Sequence, residues 1–215
     1  MNQILVINIE FKKKTKYKKI LKIQFMFSIF LTISLLLYNG FSIYKKNKND
    51  EISKQLISNF NISFLYSDSN LPIASNFYSA SNSPDVFSVI GVIEIKKLKI
   101  NYPIISPISD EFLKISPCKF YGPNPNEIGN FCIAGHNYND NRFFSKIGTL
   151  KYGDIINIVD LSGRKIEYYV TENYETYADD TTCTSQDTNG QKEITLVTCN
   201  NFTGTRIIVK AENSI

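Results

Sequence analysis

The residues best suited to chemistry lie near the carboxyl end of the chain, where two β-prone segments flank a short polar turn. Cys199 ends the first segment, which begins at Glu193, and Arg206 begins the second. A cysteine at the end of a strand is held on rigid backbone while substrate can still reach it, which suits a nucleophile. Because the turn is short, we expect the Arg206 guanidinium to lie at the same edge as the Cys199 thiol.

A thiol nucleophile needs a partner for its proton, and His136 is the only histidine in the chain. An imidazole can accept the thiol proton or pair with the thiolate. Arg206 can donate several hydrogen bonds without losing its charge, which suits holding a substrate backbone and a developing oxyanion. Taken singly, the three residues have ordinary interpretations: a buried structural cysteine, a loop histidine and a solvated strand-end charge.

The segments around these residues resemble the signatures of one known family. TLVTC at residues 195–199 is similar to the TLxTC motif of sortases, and Arg206 stands where that family has its arginine. GN at residues 129–130 and AGH at residues 134–136 match the family's histidine segment. Three chemically necessary residues therefore occur together in matching contexts.

The resemblance continues to the start of the folded region. IGVIEIKKL at residues 90–98 is similar to the family's IGxIEIPKL, although Lys96 stands where proline is usual. The match covers residues 88–212 in the correct order. It implies an all-β fold, a closed eight-stranded sortase-type β-barrel with short helices. It leaves the subclass open, with class D-like and class B-like enzymes as candidates.

The resemblance also implies a reaction, because sortases are cysteine transpeptidases of Gram-positive cell surfaces. Cys199 would attack an LPxTG-like sorting motif at the C-terminus of a surface protein and form an acyl-enzyme. His136 would protonate the leaving amine, and Arg206 would hold the substrate and the oxyanion. The acyl group would then pass to an amine of peptidoglycan or of another protein such as a pilin. No cofactor is implied.

Two other functions stay open. A cysteine peptidase would use the same residues but release the acyl-enzyme to water. A non-catalytic surface barrel would only bind peptide or cell-wall polymer. The binding barrel has no need of Cys199, His136 and Arg206 together, so the sequence favours an enzyme.

The pattern after residue 88 predicts a succession of short strands separated by turn signals, as in an antiparallel barrel. A short helix is predicted at residues 141–147. The predicted strands lie at residues 89–95, 101–105, 130–134, 154–159, 165–170, 193–198 and 206–209, with a weaker one at 112–115.

The segment at residues 173–191 is less regular and rich in Thr, Asp and Asn. The corresponding insertion of sortases forms one wall of the substrate groove, which the resemblance assigns here to Tyr174, Tyr177 and residues 181–184. Thr198 would help shape the site as the residue before the nucleophile. Its alternative role is that of an ordinary β-branched strand residue.

Residues 23–43 contain no charged side chain and are long enough to cross a bilayer as a helix. Residues 1–22 form a basic tail with seven lysines, against three lysines at residues 44–50. The positive-inside bias therefore predicts a cytoplasmic N-terminus and an extracellular catalytic domain in a single-pass protein of the cell membrane. A cleaved signal peptide is the alternative. The long apolar run and the absence of an A-x-A-like site disfavour it.

Residues 44–87 are interpreted as an extracellular stalk ahead of the catalytic barrel at residues 88–215. A flexible spacer fits their polar composition, but Ile52, Leu56 and Phe60 also share one face of a possible helix. Residues 85–87 superficially match the aspartate-x-aromatic anchor of a lid in pilin-polymerising sortases. The match lies directly against the first barrel strand, which leaves little chain to fold over the site.

The distribution of charge disfavours one further class of function. The net charge is +4, but the first 50 residues carry ten lysines and two acidic residues, so the folded part is mildly acidic. This disfavours nucleic-acid binding.

At most one disulfide among Cys118, Cys132 and Cys183 is compatible with a free Cys199. One histidine and no CxxC pair disfavour zinc. The acidic residues considered as calcium ligands, and interpreted instead as solvated loop charges, are Asp110, Glu111, Glu172, Asp179 and Asp180.

Overall fold

The structure is a computed structural model that describes the backbone of residues 2–65, 77–79 and 86–213, and the side chains of residues 17–61 and 87–213. The chain forms two compact units, Met1–Lys48 and Asn49–Ile215. Short 3₁₀ helices occur at Lys96–Leu98, Ile147–Thr149 and Thr182–Thr184. The other elements are α1 (Asn2–Leu65), β1 (Phe77–Ser79), β2 (Val86–Ile95), β3 (Ile100–Ser106), α2 (Asp110–Leu113), β4 (Cys118–Tyr121), β5 (Gly129–Ala134), β6 (Ile155–Asp160), β7 (Lys165–Thr176), β8 (Lys192–Cys199) and β9 (Arg206–Glu212).

Eight strands close into a barrel, as predicted. Their order is β2-β3-β4-β5-β8-β9-β7-β6, and β6 pairs again with β2 to complete the ring. β1 lies beside β2, outside the ring. Neighbouring strands are antiparallel except for two parallel pairs, β3 with β4 and β5 with β8.

The barrel interior is filled by inward-facing side chains, which alternate along each strand with outward-facing ones. On β8, for example, Ile194 and Leu196 are fully buried in the core, and on β9 Val209 and Ala211 face them. Alternate residues of these strands point to the outer face, since side chains alternate across a strand. Cys199 and Arg206 belong to this outer set.

One predicted strand is wrong. The segment at residues 112–115 was predicted as a weak strand, but α2 occupies Asp110–Leu113 and the missing strand is β4. Ser109 caps α2 by accepting a hydrogen bond from the Phe112 amide, and two acidic residues fill the first turn. These are helix-start signals. The helix predicted at residues 141–147 is mostly turn, with a 3₁₀ helix only at Ile147–Thr149.

A second, smaller core lies on the outer face of β2 and β3. Leu56 and Phe60 of α1 are buried there against Phe87, Phe112 and neighbouring residues. Residues 49–61 are thus helical and packed, so a flexible spacer does not describe them. Asp85, the first residue of the lid motif considered above, lies outside the described residues.

The N-terminal unit consists of the first part of α1. The stretch Tyr17–Asn61 contains an 18-residue window of mean hydropathy 2.1, none of it buried. Among the described residues, this helix is long and apolar enough to cross a membrane, by length and composition.

Candidate active site

The parallel pairing of β5 with β8 brings distant residues to one rim of the barrel. The register runs from Gly129 opposite Lys192 to Ala134 opposite Val197. Beyond β5, the Gly135 amide still donates to the Val197 carbonyl at 3.0 Å. Parallel strands end at the same edge of a sheet. His136 and Cys199 therefore leave the sheet at the same rim, although 62 residues separate them in the chain.

The antiparallel pairing of β8 with β9 places Arg206 directly opposite Cys199. The Arg206 Nη1 atom donates a hydrogen bond to the Cys199 Sγ atom over 2.9 Å. The thiol is half-buried, so it remains accessible from the outer face. A permanent positive charge with fixed hydrogen-bond donors therefore lies directly beside the sulfur.

His136 is half-buried beside the ring of Tyr138, with ring centroids 5.1 Å apart. Burial is the main reason that the pKa of the imidazole is lowered from its ordinary value. The negative charge of Asp110 raises that pKa, whereas the positive charges of Lys114 and Arg142 lower it. The neutral imidazole is thus the dominant form near pH 7, and the imidazolium a minority.

Thr198 holds the backbone that leads into His136. Its side chain is 3% exposed, and its hydroxyl donates to the Gly135 carbonyl over 2.6 Å. Gly135 itself has no room for a side chain, because a Cβ atom there would lie 2.7 Å from the ring of Phe144. Thr198 therefore fixes the histidine segment through the backbone.

Asn137 makes a second connection between the two ends of the site. Its side-chain amide donates to the Cys199 carbonyl over 2.7 Å, and its own carbonyl accepts from the side chain of Asn201 over 2.7 Å. The His136 carbonyl accepts from the Phe144 amide at 3.1 Å. The backbone of the histidine segment is thus tied to β8 and to the turn that follows it.

The turn between Cys199 and Arg206 is fastened to β7 by one carboxylate. Glu175 accepts hydrogen bonds from Asn200 and Thr203 over 2.6 Å each, and from Thr205. Hydroxyl donors, led by Thr203, keep the pKa of Glu175 below its usual value, so it is charged near neutral pH. At the tip of this fastened turn, Phe202 is 99% exposed.

Tyr174 and Tyr177 lie at the start of the predicted groove wall. Tyr174 stands opposite Ile208, and Thr176 stands opposite Arg206. Residues opposite each other share a face, so Tyr174 lies on the same barrel face as Arg206, next to a cavity of about 500 Å³. Tyr177 is 77% exposed, just beyond the end of β7. The substrate-binding roles of these tyrosines and of Thr198 stay predictions.

The three other cysteines are buried and free. Burial raises the pKa of Cys118 and of Cys132 to about 12, and it also raises that of Cys183. The Cys183 carbonyl accepts from Asn130 at 2.9 Å and from Thr195 at 3.3 Å, which holds the insertion against the barrel. Within residues 17–61 and 87–213, no three His, Cys, Asp or Glu side chains group as metal ligands.

The sequence does not reveal two residues that organise this site, Asn137 and Glu175. Asn137 directly follows the histidine, but no pattern indicates that its amide reaches Cys199. Glu175 is an acidic residue near the end of a long strand, and its donors are 25 to 30 positions away. Only tertiary structure brings these groups together.

Comparisons with known proteins identify the family to which this fold belongs. A family model described as the sortase domain matches residues 93–214, more than half of the chain. The chain belongs to the sortase family. Sortase A of Bacillus anthracis is 31% identical over 121 residues, which are 56% of either protein, so the match spans just over half the length of that relative.

Solved sortase structures share the fold. A Clostridium perfringens sortase D5 transpeptidase superposes with a TM-score of 0.57 at 26% identity, over 80% of this chain and 99% of that one. A Clostridium perfringens sortase C, determined with the C-terminal cell wall sorting motif, superposes with a TM-score of 0.54 at 23% identity, over 77% and 91%. The family's structures thus include different sortase classes on the same barrel.

Proposed function

We propose that this sortase is a membrane-anchored cysteine transpeptidase that cleaves an LPxTG-like sorting motif and transfers the acyl group to an amine. The observation that carries the proposal is the 2.9 Å contact between Arg206 Nη1 and Cys199 Sγ, at the rim where the single histidine also leaves the sheet. This contact puts a fixed hydrogen-bond donor beside a sulfur that substrate can still reach.

In the first half of the reaction, the Cys199 thiolate attacks the scissile carbonyl of the sorting motif. The oxyanion that forms takes hydrogen bonds from the Arg206 guanidinium, which moves from the sulfur to the oxygen as charge leaves the thiolate. The His136 imidazolium gives its proton to the departing amine. The products of this half are a thioester on Cys199 and a free amine on the cleaved peptide.

In the second half, an acceptor amine attacks the thioester. His136, now neutral, takes the proton of that amine, and Cys199 leaves as the thiolate. The starting enzyme needs a thiolate together with an imidazolium. Because the pKa of His136 is lowered, the imidazolium that the first half-reaction uses is the minority form of that ring near pH 7.

The relatives support the choice of substrate and reaction. The Clostridium perfringens D5 enzyme is described as a transpeptidase, and the sortase C of that organism was determined with a sorting motif. We infer that the substrates here are surface proteins with a C-terminal sorting motif. The acceptor is an amine of peptidoglycan or of another surface protein such as a pilin, and the subclass is D-like or B-like.

The N-terminal part of α1 supports membrane anchoring. We propose that residues 23–43 form a single transmembrane anchor, with the basic residues 1–22 in the cytoplasm and the barrel outside. This places the active site where both the sorting motif and the cell-wall acceptor are found.

The test uses the full chain in detergent micelles with a library of fluorogenic LPxTG-type peptides. Each peptide is incubated with and without oligoglycine or diaminopimelate-like amines, and products are identified by mass spectrometry. We expect peptide ligated to the amine, together with a thioester-linked adduct on the wild-type protein. Cys199→Ala should give neither product.

Other outcomes point to the two alternatives. Cleavage that depends on Cys199 but ignores every added amine would support a peptidase. Binding of peptide without Cys199-dependent turnover of any library member would support a non-catalytic barrel and contradict the proposal.

A further inference from the structure

A chain of contacts runs from helix α1 to the ring beside His136. Arg142 lies in the loop after β5, and its Nη1 atom donates to Asp50 of α1 over 2.8 Å. Its Nε atom donates to Asp140 over 3.0 Å. The Arg142 side chain is only 17% exposed. One guanidinium thus binds two carboxylates, one from the helix and one from the histidine loop.

The flat face of that guanidinium supports the aromatic wall of the site. The Arg142 Cζ atom lies 4.4 Å from the centroid of the Tyr138 ring and 5.5 Å from that of Phe143. Tyr138 in turn contacts His136, with centroids 5.1 Å apart. A cation over an aromatic face is attracted by the ring quadrupole, and arginine also stacks as a plane. Tyr138 is therefore held between Arg142 and the imidazole.

The helix end of this chain is itself fixed to the barrel unit. We call residues 49–61 of α1 the docked segment. Its Leu56 and Phe60 side chains are buried in the smaller core. Its Asn49 side chain donates to the Lys114 carbonyl over 3.2 Å. Asp50 is thus presented to Arg142 by a segment with its own apolar anchor.

We propose that Arg142 is a positioning residue for His136, and that the docked segment sets its position through Asp50. The guanidinium keeps the Tyr138 ring against the imidazole, so His136 stays oriented for proton transfer to the leaving amine. The segment that follows the transmembrane anchor thereby becomes part of the catalytic domain. This inference rests on the proposed transpeptidase function, but the orientation of the histidine ring can be measured without turnover.

The first experiment is a kinetic comparison on the full chain in micelles. Arg142→Lys keeps the charge but loses the planar fork and the stack, and Asp50→Asn removes the carboxylate of the docked segment. We expect kcat to fall about tenfold for Arg142→Lys and about threefold for Asp50→Asn, with KM within twofold of wild type. The matched control is Arg164→Lys, since Arg164 pairs with Asp160 at 2.9 Å on the β6–β7 hairpin.

The second experiment measures the environment of the His136 ring by NMR. Because the protein has one histidine, labelling histidine with ¹³C at Cε1 alone gives a single imidazole resonance in the full chain. Arg142→Lys and Tyr138→Ala should shift this resonance, because each changes the ring-current effect of Tyr138 on the imidazole. Tyr138→Phe keeps the aromatic ring and should leave the resonance at its wild-type position. Arg164→Lys should leave the resonance in place.

The outcomes separate this inference from the proposed function. A wild-type protein that turns over no peptide contradicts the proposed function, while the resonance still tests the position of His136. An unshifted resonance in both Arg142→Lys and Tyr138→Ala overturns the positioning role. A raised KM with unchanged kcat also overturns it, because Arg142 would then bind substrate. Equal losses in Arg164→Lys overturn it as well, because the effect would then be one of general folding.

Discussion

At the scale of single residues, the chain uses arginine sparingly. It has 24 cationic residues, of which only Arg142, Arg164 and Arg206 are arginines. Arg206 contacts the Cys199 thiol. Arg142 contacts two carboxylates and two aromatic rings. Arg164 contacts the Asp160 carboxylate and the Asn126 carbonyl. A lysine ammonium is a compact point charge and cannot reproduce these planar contacts.

The first prediction follows from the Arg206 contact. Arg206→Lys keeps a positive charge but loses the rigid fork that contacts the sulfur and that we propose also binds the oxyanion. We expect kcat/KM for a sorting peptide to fall about 10²- to 10³-fold, the usual cost of an oxyanion donor. Unchanged kcat/KM would remove Arg206 from the mechanism. The rate of Cys199 alkylation shows separately whether the reactivity of the sulfur itself has changed.

The second prediction concerns the charges around His136. Asp110 raises the imidazole pKa and Lys114 lowers it. Asp110→Asn should therefore shift the pKa downward, and Lys114→Met should shift it upward. The NMR titration of the single histidine measures both. Asp154→Asn is the matched control, because Asp154 pairs with Lys97 at 2.6 Å and is not among the groups that shift His136. Shifts of the same sign in both variants would contradict this electrostatic account.

At the scale of elements, the site is made by the parallel junction of β5 with β8 and the antiparallel junction of β8 with β9. The second junction is readable in the sequence, because two β-prone runs flank a turn of six residues. The first is not, because parallel pairing joins strands that are far apart in the chain. The resemblance to sortases supplied the pairing of His136 with Cys199, and composition alone would not have done so.

The third prediction tests the first junction with two threonines of β8. Thr198→Val removes the hydroxyl that holds Gly135, whereas Thr195→Val removes the one that holds Asn130 and Cys183. Each change should cost about 1–2 kcal/mol of unfolding free energy, since it leaves a buried acceptor without its donor. Only Thr198→Val should also lower kcat, about tenfold, because it loosens the histidine segment. Chemical denaturation and peptide turnover measure the two effects. Equal kcat losses would contradict a special role for Thr198.

At the scale of the whole molecule, the sequence and its resemblance to sortases were sufficient to predict the closed barrel. They were not sufficient to predict the packing of α1 on its outer face. Short β-prone runs separated by turn signals predicted seven of the eight barrel strands, and the resemblance to sortases supplied the closure. The eighth was misplaced because an apolar pair at residues 112–113 lies in a capped helical turn rather than a strand. For the docked segment of α1, the sequence left a flexible spacer and a helix as alternatives. An i, i+4 apolar pattern in a polar stretch indicates a helix face but not the surface against which that face packs. The contact of Arg142 with Asp50 depends on that packing.

The burial of three of the four thiols also governs how the whole protein meets oxidants and alkylating reagents. Cys118 and Cys132 have a pKa of about 12 and that of Cys183 is raised, so almost none of these sulfurs is thiolate at neutral pH. Brief iodoacetamide treatment of the native chain should therefore add one label by intact mass, and none to Cys199→Ala. Two or more labels would contradict this. A protein built in this way confines its redox sensitivity to Cys199, so a single reversible oxidation would remove the proposed nucleophile and leave the fold intact.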